Sequence, residues 1–255
     1  MNIYRSIVSS FINQTLFAQT QHLINPNPRV DTIFPLMAWD YVDNEEIVKE
    51  MHLAGVNMIA FVPPEMLDLC QKYNLRAIVY DGGIFGAFAS YFDSKKANAI
   101  LPDLIKKYNH HPAVYGYHIK DEPGPDQFPE LAKSVKLVKE LAPGKWPYIN
   151  LLPTQSYGDA YESYLEQFAQ ICKPTAFSYD NYSEDYAPEA GTGSLFWKNL
   201  AQVRNAAQRH DLPFWNIILT APHFSYSELT ASDLRLRGGN CRRCKMKIPR
   251  QADLA

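Results

Sequence analysis

Seven short runs rich in apolar and β-branched residues recur along the chain, each followed by a stretch with helical periodicity, and this alternation most constrains the fold. The runs are Ile33–Trp39, Val56–Val62, Arg76–Asp81, Val114–Lys120, Tyr148–Leu152, Ala176–Tyr179 and Phe214–Thr220. Most are continuously apolar rather than alternating, as strands covered on both faces are. Parallel strands need a crossover long enough to hold a helix, which the intervening segments supply. The pattern predicts an α/β fold, and seven consecutive units favour a (β/α)8 TIM barrel over a doubly wound open sheet.

The helical segments carry their own punctuation. Asp43 stands three residues before Glu46 and predicts an N-cap for a helix that stops at Gly55. Pro63-Pro64 opens the next helix, which ends near Asn74. Ser94–Asn109 follows, with Pro102 expected to kink or split it. Three more helices are expected over Asp126–Leu141, Asp159–Lys173 and Leu195–His210.

The ends break the pattern. After Thr230–Leu236 the chain reads RGGNCRRCKMKIPRQADLA, with no apolar run for an eighth strand. The expectation is therefore a barrel domain over 29–236 that is incomplete at its C-terminus, followed by a basic, disordered tail over 237–255. An N-terminal strand at Leu23–Ile24 would offer just two apolar residues. Unpaired edges on the first and seventh strands would invite oligomerisation. Residues 1–28 resemble a weak secretory signal, which predicts a secreted or periplasmic protein, with a cytoplasmic one as the alternative. No run reaches the roughly eighteen apolar residues of a membrane span.

Charge narrows the partners. A net charge of -2 gives no reason to expect nucleic acid or an anionic membrane, so the substrate is expected to be small or neutral. Cys70 and Cys172 read as buried thiols. The pair Cys241/Cys244 lacks the second pair or histidines of a zinc site, and neither cofactor nor metal is expected.

In a parallel barrel the ligand site lies at the carboxyl ends of the strands. The residues there are acidic, amide-bearing and aromatic: Trp39, Asp40, Asp81, His118, Asp121, Asn150, Tyr179, Tyr182 and Trp215, with His223 in the loop after the seventh strand. Carboxylates and amides hydrogen-bond sugar hydroxyls, and flat rings stack on sugar C–H faces. The pattern therefore points to a carbohydrate ligand. Glycosidic cleavage needs one carboxyl to protonate the leaving oxygen and a second carboxylate across the anomeric carbon. Glu122, ending the fourth strand, is the expected acid/base. Ring burial and Asp121 should raise its pKa, and Lys120 should lower it.

The run AVYGYHIKDEP, Ala113 to Pro123, resembles the fourth-strand motif of the clan A (β/α)8-barrel glycoside hydrolases, in which the Glu of an Asn-Glu-Pro or Asp-Glu-Pro sequence is the acid/base. FPLMAW, AGVNMIAF and KPTAFSYDNY are similar to uncharacterised bacterial barrels grouped with family 42 β-galactosidase-like proteins. Over residues 30–236 the resemblance implies an O-glycosidase with Glu122 as acid/base. The clan's nucleophile, a Glu ending the seventh strand, has no counterpart in Phe214–Thr220; Asp180 is the substitute at hand, with Asp81 and Asp40 behind it. A catalytically inactive or truncated sugar-binding barrel is the alternative, and a metal-dependent sugar isomerase or deacetylase using His118, Glu122 and Asp180 is a third reading.

Overall fold

The computed structural model describes residues 35–82, 94–182, 193–218 and 220. All seven expected strands form within them: β1 (Met37–Tyr41), β2 (Met58–Val62), β3 (Arg76–Val79), β4 (Val114–Asp121), β5 (Trp146–Asn150), β6 (Phe177–Asp180) and β7 (Phe214–Ile217). Between them run α1 (Glu45–Leu53), α2 (Leu67–Lys72), α3 (Ser94–Tyr108), α4 (Phe128–Leu141), α5 (Tyr161–Cys172) and α6 (Gly193–Arg209). The N-terminal segment 1–28, the eighth-strand position, the tail 237–255, Cys241, Cys244 and His223 lie outside the described residues.

Every paired strand is parallel and lies beside its neighbour in sequence, β1 to β5 in one ladder and β6 with β7 in another. Leu151 joins the ladders: its N–H donates to Ser178 O at 2.8 Å, and Asp180 N–H donates to Leu151 O at 3.2 Å. The row is strongly curled. In a flat sheet β1 and β5 would stand about 19 Å apart, four strand spacings, yet the Trp39 and Tyr148 ring centres are 5.9 Å apart. Tyr115 on β4 and Trp215 on β7 likewise meet at 6.3 Å. Among the described residues no pairing joins β7 to β1.

The curl creates two apolar layers. Outside the strands, Val62, Val79, Ile119 and Phe177 pack against helix residues such as Leu67, Leu101, Val135 and Phe168. Inside, Met58, Ile78, Tyr115, Trp146 and Tyr148 fill the barrel with Trp39 and Trp215. Gly116 allows the close approach of β4 to β5, because a Cβ there would collide with the Trp146 carbonyl oxygen. Cys70 and Cys172 are buried free thiols in the outer layer.

Two local expectations are corrected, and one irregularity of β4 is added. The cap of α1 is Asn44, not Asp43: its side-chain oxygen accepts the Ile47 N–H at 3.0 Å, while Asp43 accepts from the Asn44 amide. Pro102 lies inside α3 without splitting it. Its cost of about 3 kcal/mol is offset by burial of Leu101, Leu104 and Ile105, each worth about 1.5–3 kcal/mol. Finally, a shift of register against β5 between His118 and Lys120 ends the strict alternation of β4.

Candidate active site

That shift decides which side chains reach the barrel mouth. His118 faces Trp39, Phe61, Tyr80 and Tyr148 in the interior. Strict alternation would put Lys120 on the same face. Instead Lys120 pairs opposite Ile149, and it is Asp121 that pairs with Asn150 and meets its side chain. Lys120 is buried, with its ammonium donating to the Asp121 carbonyl at 2.6 Å. Burial holds its pKa below the usual lysine range, and the charges of Asp121 and Glu122 offset part of that shift.

Asn150 is the centre of a hydrogen-bonded cluster at the ends of β4, β5 and β6. Its amide nitrogen donates to Asp121 Oδ1 at 3.1 Å and to Asp180 Oδ1 at 3.0 Å. Its carbonyl accepts from Ser178 Oγ at 3.1 Å, and that hydroxyl also pairs with Tyr148 OH at 2.7 Å. Tyr182 OH donates to Asp180 Oδ1 at 3.1 Å. Ser178 and Asp180 share the inner face of β6 because side chains two apart in a strand point the same way.

The loops behind this cluster are tied down by α6. Asn199 donates to the Asp180 carbonyl and to Asn181 Oδ1, both at 3.2 Å, and accepts the Thr154 N–H at 3.2 Å. A buried amide therefore fixes the segments after β5 and β6 together.

Glu122 follows directly. Its backbone adopts φ 50°, the left-handed region, although it precedes Pro123. A non-glycine residue there is strained by about 1–3 kcal/mol, and a residue before proline favours extended backbone instead. The turn is held by Glu122 N–H donating to Asn150 O at 2.9 Å and by Tyr164 OH donating to Pro123 O at 2.9 Å. It sends the Glu122 side chain to the exposed rim, where it hydrogen-bonds the carboxyl of Asp180.

The expected burial of Glu122 is thus corrected: it is exposed, whereas Asp121 beside it is half-buried and Asp180 is buried. Burial pushes Asp121 up to about 7, helped by the charge of Glu122 and opposed by the Asn150 bond and by Lys120. Asp180, 6% exposed, is raised well above the usual carboxylate range. Burial is the main cause, followed by the bond to Glu122 and the charges of Asp121 and Glu122. Two carboxyls can share a hydrogen bond when one of them keeps its proton.

The other sequence candidates divide. Asp121, Asn150, Asp180 and Tyr182 are brought together with Glu122. Trp39 meets Phe61 edge to face inside the barrel at 4.6 Å. His118 is fully buried under its four rings. Asp40 is exposed and accepts its neighbour's N–H, that of Tyr41, at 2.8 Å. Asp81 is half-buried past β3. Two candidates turn away from the mouth. Tyr179 alternates with Asp180 and so faces the helix layer, fully buried. Trp215 stacks on Trp146 at 4.5 Å, near the start of β5 and the floor of the barrel.

Sequence reading passed over Ser178 and Asn199. The period of two from Asp180 could have found Ser178, and a mid-helix Asn could have flagged Asn199. Tyr41 is 40% exposed and stacks on Phe61 at 4.8 Å, with Tyr80 edge-on to it at 5.4 Å. Among the described residues no group of three or more His, Cys, Asp and Glu is placed to hold a metal ion.

Solved structures bear on this arrangement. The chain is similar to a β-glucuronidase of Lactobacillus rhamnosus, at TM-score 0.51 and 14% identity over 72% of this chain and 35% of that one. A Ruminococcus gnavus β-glucuronidase in complex with D-glucaro 1,5-lactone aligns at TM-score 0.55 and 14% identity, over 74% of this chain and 36% of that one. The fold is a (β/α) barrel. A Bacteroides uniformis β-glucuronidase 2 aligns at TM-score 0.50 and 15% identity, over 71% and 24% of the two chains. The chain spans about a third or less of these proteins' lengths. No protein-family model and no curated protein matches the sequence.

Proposed function

We propose that this barrel hydrolyses O-glycosidic bonds, with Glu122 as general acid/base and Asp180 as the second carboxylate. The observation that carries the reading is the carboxyl–carboxyl hydrogen bond between an exposed Glu and a buried Asp at the strand ends. One proton held between two acids is the supply a glycosidic leaving oxygen needs. Glu122, long and at the rim, can turn toward a sugar with the proton. Asp180, fixed by Asn150 and Tyr182, is left as the anion that faces an oxocarbenium-like centre. Turning also separates the carboxyls, as a substrate between them demands. Tyr41 and Tyr80 offer ring faces beside Asp121 for the sugar. The DEP sequence at the fourth strand supports the finer likeness to clan A and family 42 barrels.

The second reading, a sugar-binding barrel without catalysis, is favoured by one observation: β7 (Phe214–Ile217) carries no acid, where the clan A barrels have their nucleophile. The two readings separate in a panel of aryl glycosides, aryl β-glucuronides among them because the similar folds carry that name. Phenol release by the wild type should fall about 10²–10⁴-fold in Glu122→Gln and in Asp180→Asn. Undiminished release by Glu122→Gln would remove it from the mechanism. Oligosaccharide binding with no release by the wild type would favour the second reading.

A further inference from the structure

At the opposite end of the barrel from Glu122, a cleft of about 510 Å³ opens between the starts of β3, β4 and β5. Its walls are the loops that precede those strands, including Pro112 and Pro143, and its floor is Tyr115. The volume lies in the range of small-molecule sites. Two cations converge in it. The Arg76 guanidinium, half-buried, lies over the face of Tyr115 at 5.9 Å. The Lys145 ammonium donates to the carbonyl of Val114, the preceding residue of β4.

No carboxylate lines this cleft. Among the described residues Arg76 enters no ion pair. A guanidinium drawn partly out of water, with no acceptor for its N–H fork among the described residues and a second cation nearby, is unfavourable as it stands. An oxyanion relieves both costs, since carboxylate and phosphate match the fork in a bidentate way. The proline and tyrosine surfaces suit a flat apolar group attached to that anion. Asn109 also lines the cleft.

We infer that the cleft between Arg76, Lys145 and Asn109 is a second binding site, for a small molecule bearing a phosphate or carboxylate group on a flat apolar body. It is independent of the chemistry at Glu122. Titration calorimetry of the full chain with phenyl phosphate, benzoate and inorganic phosphate tests it. Phenyl phosphate or benzoate should bind more tightly than inorganic phosphate, and whichever binds better identifies the oxyanion. Arg76→Gln should weaken binding about tenfold or more, and Arg76→Lys should weaken it less, because it keeps the charge and loses the fork. Glu122→Gln should leave it unchanged. Should the Arg76 variants not fold, labelling of wild-type arginines with phenylglyoxal, mapped by mass spectrometry, gives the same answer. Phenyl phosphate or benzoate should protect Arg76. Absence of binding by all three probes at about 10 mM, equal affinity in Arg76→Gln, or labelling of Arg76 that neither aromatic probe changes would overturn the inference.

Discussion

The carboxyl of Glu122 hydrogen-bonds that of Asp180, although the first lies just past β4 and the second ends β6. What lies between them is Asn150 on β5, which donates one amide hydrogen to Asp121 and another to Asp180. The two strands that flank β5 thus deliver two acids to one amide, and Glu122 joins them from just past β4. The cluster is asymmetric: Asp180 is buried and braced from several sides, while Glu122 reaches it from the exposed rim. A proton in this group has a fixed keeper and a movable carrier.

The buried acids make stability depend on pH. Asp121 stands at about 7 in the folded chain against an ordinary value of 3.8, and Asp180 is raised in the same direction. Between those values the native state binds more protons than the unfolded one, so these groups' contribution to stability is fully present below about pH 4 and lost as pH rises toward 7. Asp121→Asn and Asp180→Asn remove the titration while an amide oxygen can still accept from Asn150. Urea midpoints at pH 5 and pH 7.5 should show each variant gaining on the wild type at the higher pH, by on the order of 1–2 kcal/mol after allowance for solvent screening. A difference that does not change with pH would mean that neither acid is desolvated.

The strained turn at Glu122 gives a second test. Glycine adopts positive φ freely and should release about 1–3 kcal/mol of strain, less about 0.5–1 kcal/mol for the added freedom of the unfolded chain. Glu122→Gly is therefore expected to hold or raise thermal stability while aryl glycoside hydrolysis is lost. Calorimetric melting of wild type, Glu122→Gly and Glu122→Ala checks it, with alanine keeping the strain. A glycine variant less stable than the alanine one would show that the turn stores nothing.

The strands were legible because both faces of each are covered, which leaves an apolar run that side-chain chemistry alone reveals. Their ends pointed to Asp121, Asn150 and Asp180 for the same reason. What could not be read is set by partners distant in sequence. The shifted register of β4 against β5 exchanges the faces of Lys120 and Asp121, and nothing in GYHIKDEP announces it. Tyr179 and Trp215 stand at or near strand ends, yet one faces the helices and the other lies on the barrel floor. Glu122 follows a buried strand, but a left-handed turn carries it outward. Such turns depend on the bond to Asn150 and on Tyr164 beneath Pro123.

Gly116 should tolerate no side chain. A Cβ there would strike the backbone of Trp146, whose ring is stacked on Trp215 inside the barrel. Backbone cannot yield as a side-chain tip can, so β4 and β5 would have to part. Gly116→Ala is expected to cost about 1–3 kcal/mol, read as a lower urea midpoint, with the near-ultraviolet signal of the tryptophans altered. An unchanged midpoint would show that the two strands are farther apart than this contact requires.

His118 offers the reverse case, a polar residue whose removal should do no harm. It is fully buried, its ring centre lies 4.9–6.1 Å from those of Phe61, Tyr80, Tyr148 and Trp39, and neither ring nitrogen has a partner among the described residues. Burial, with the charge of Lys120, lowers its pKa to about 3. It is neutral in the folded chain at ordinary pH, with one donor and one acceptor unused at about 1–3 kcal/mol each. Phenylalanine keeps the ring and removes both. His118→Phe should hold or raise stability at pH 7. The benefit should grow as pH falls from about 6.5 toward 4, because the unfolded histidine takes up a proton there and the folded one does not. Urea midpoints at pH 7 and pH 4 check both statements. A loss of more than about 1 kcal/mol at pH 7 would mean that the imidazole is paired, an enclosed water being the partner its size allows.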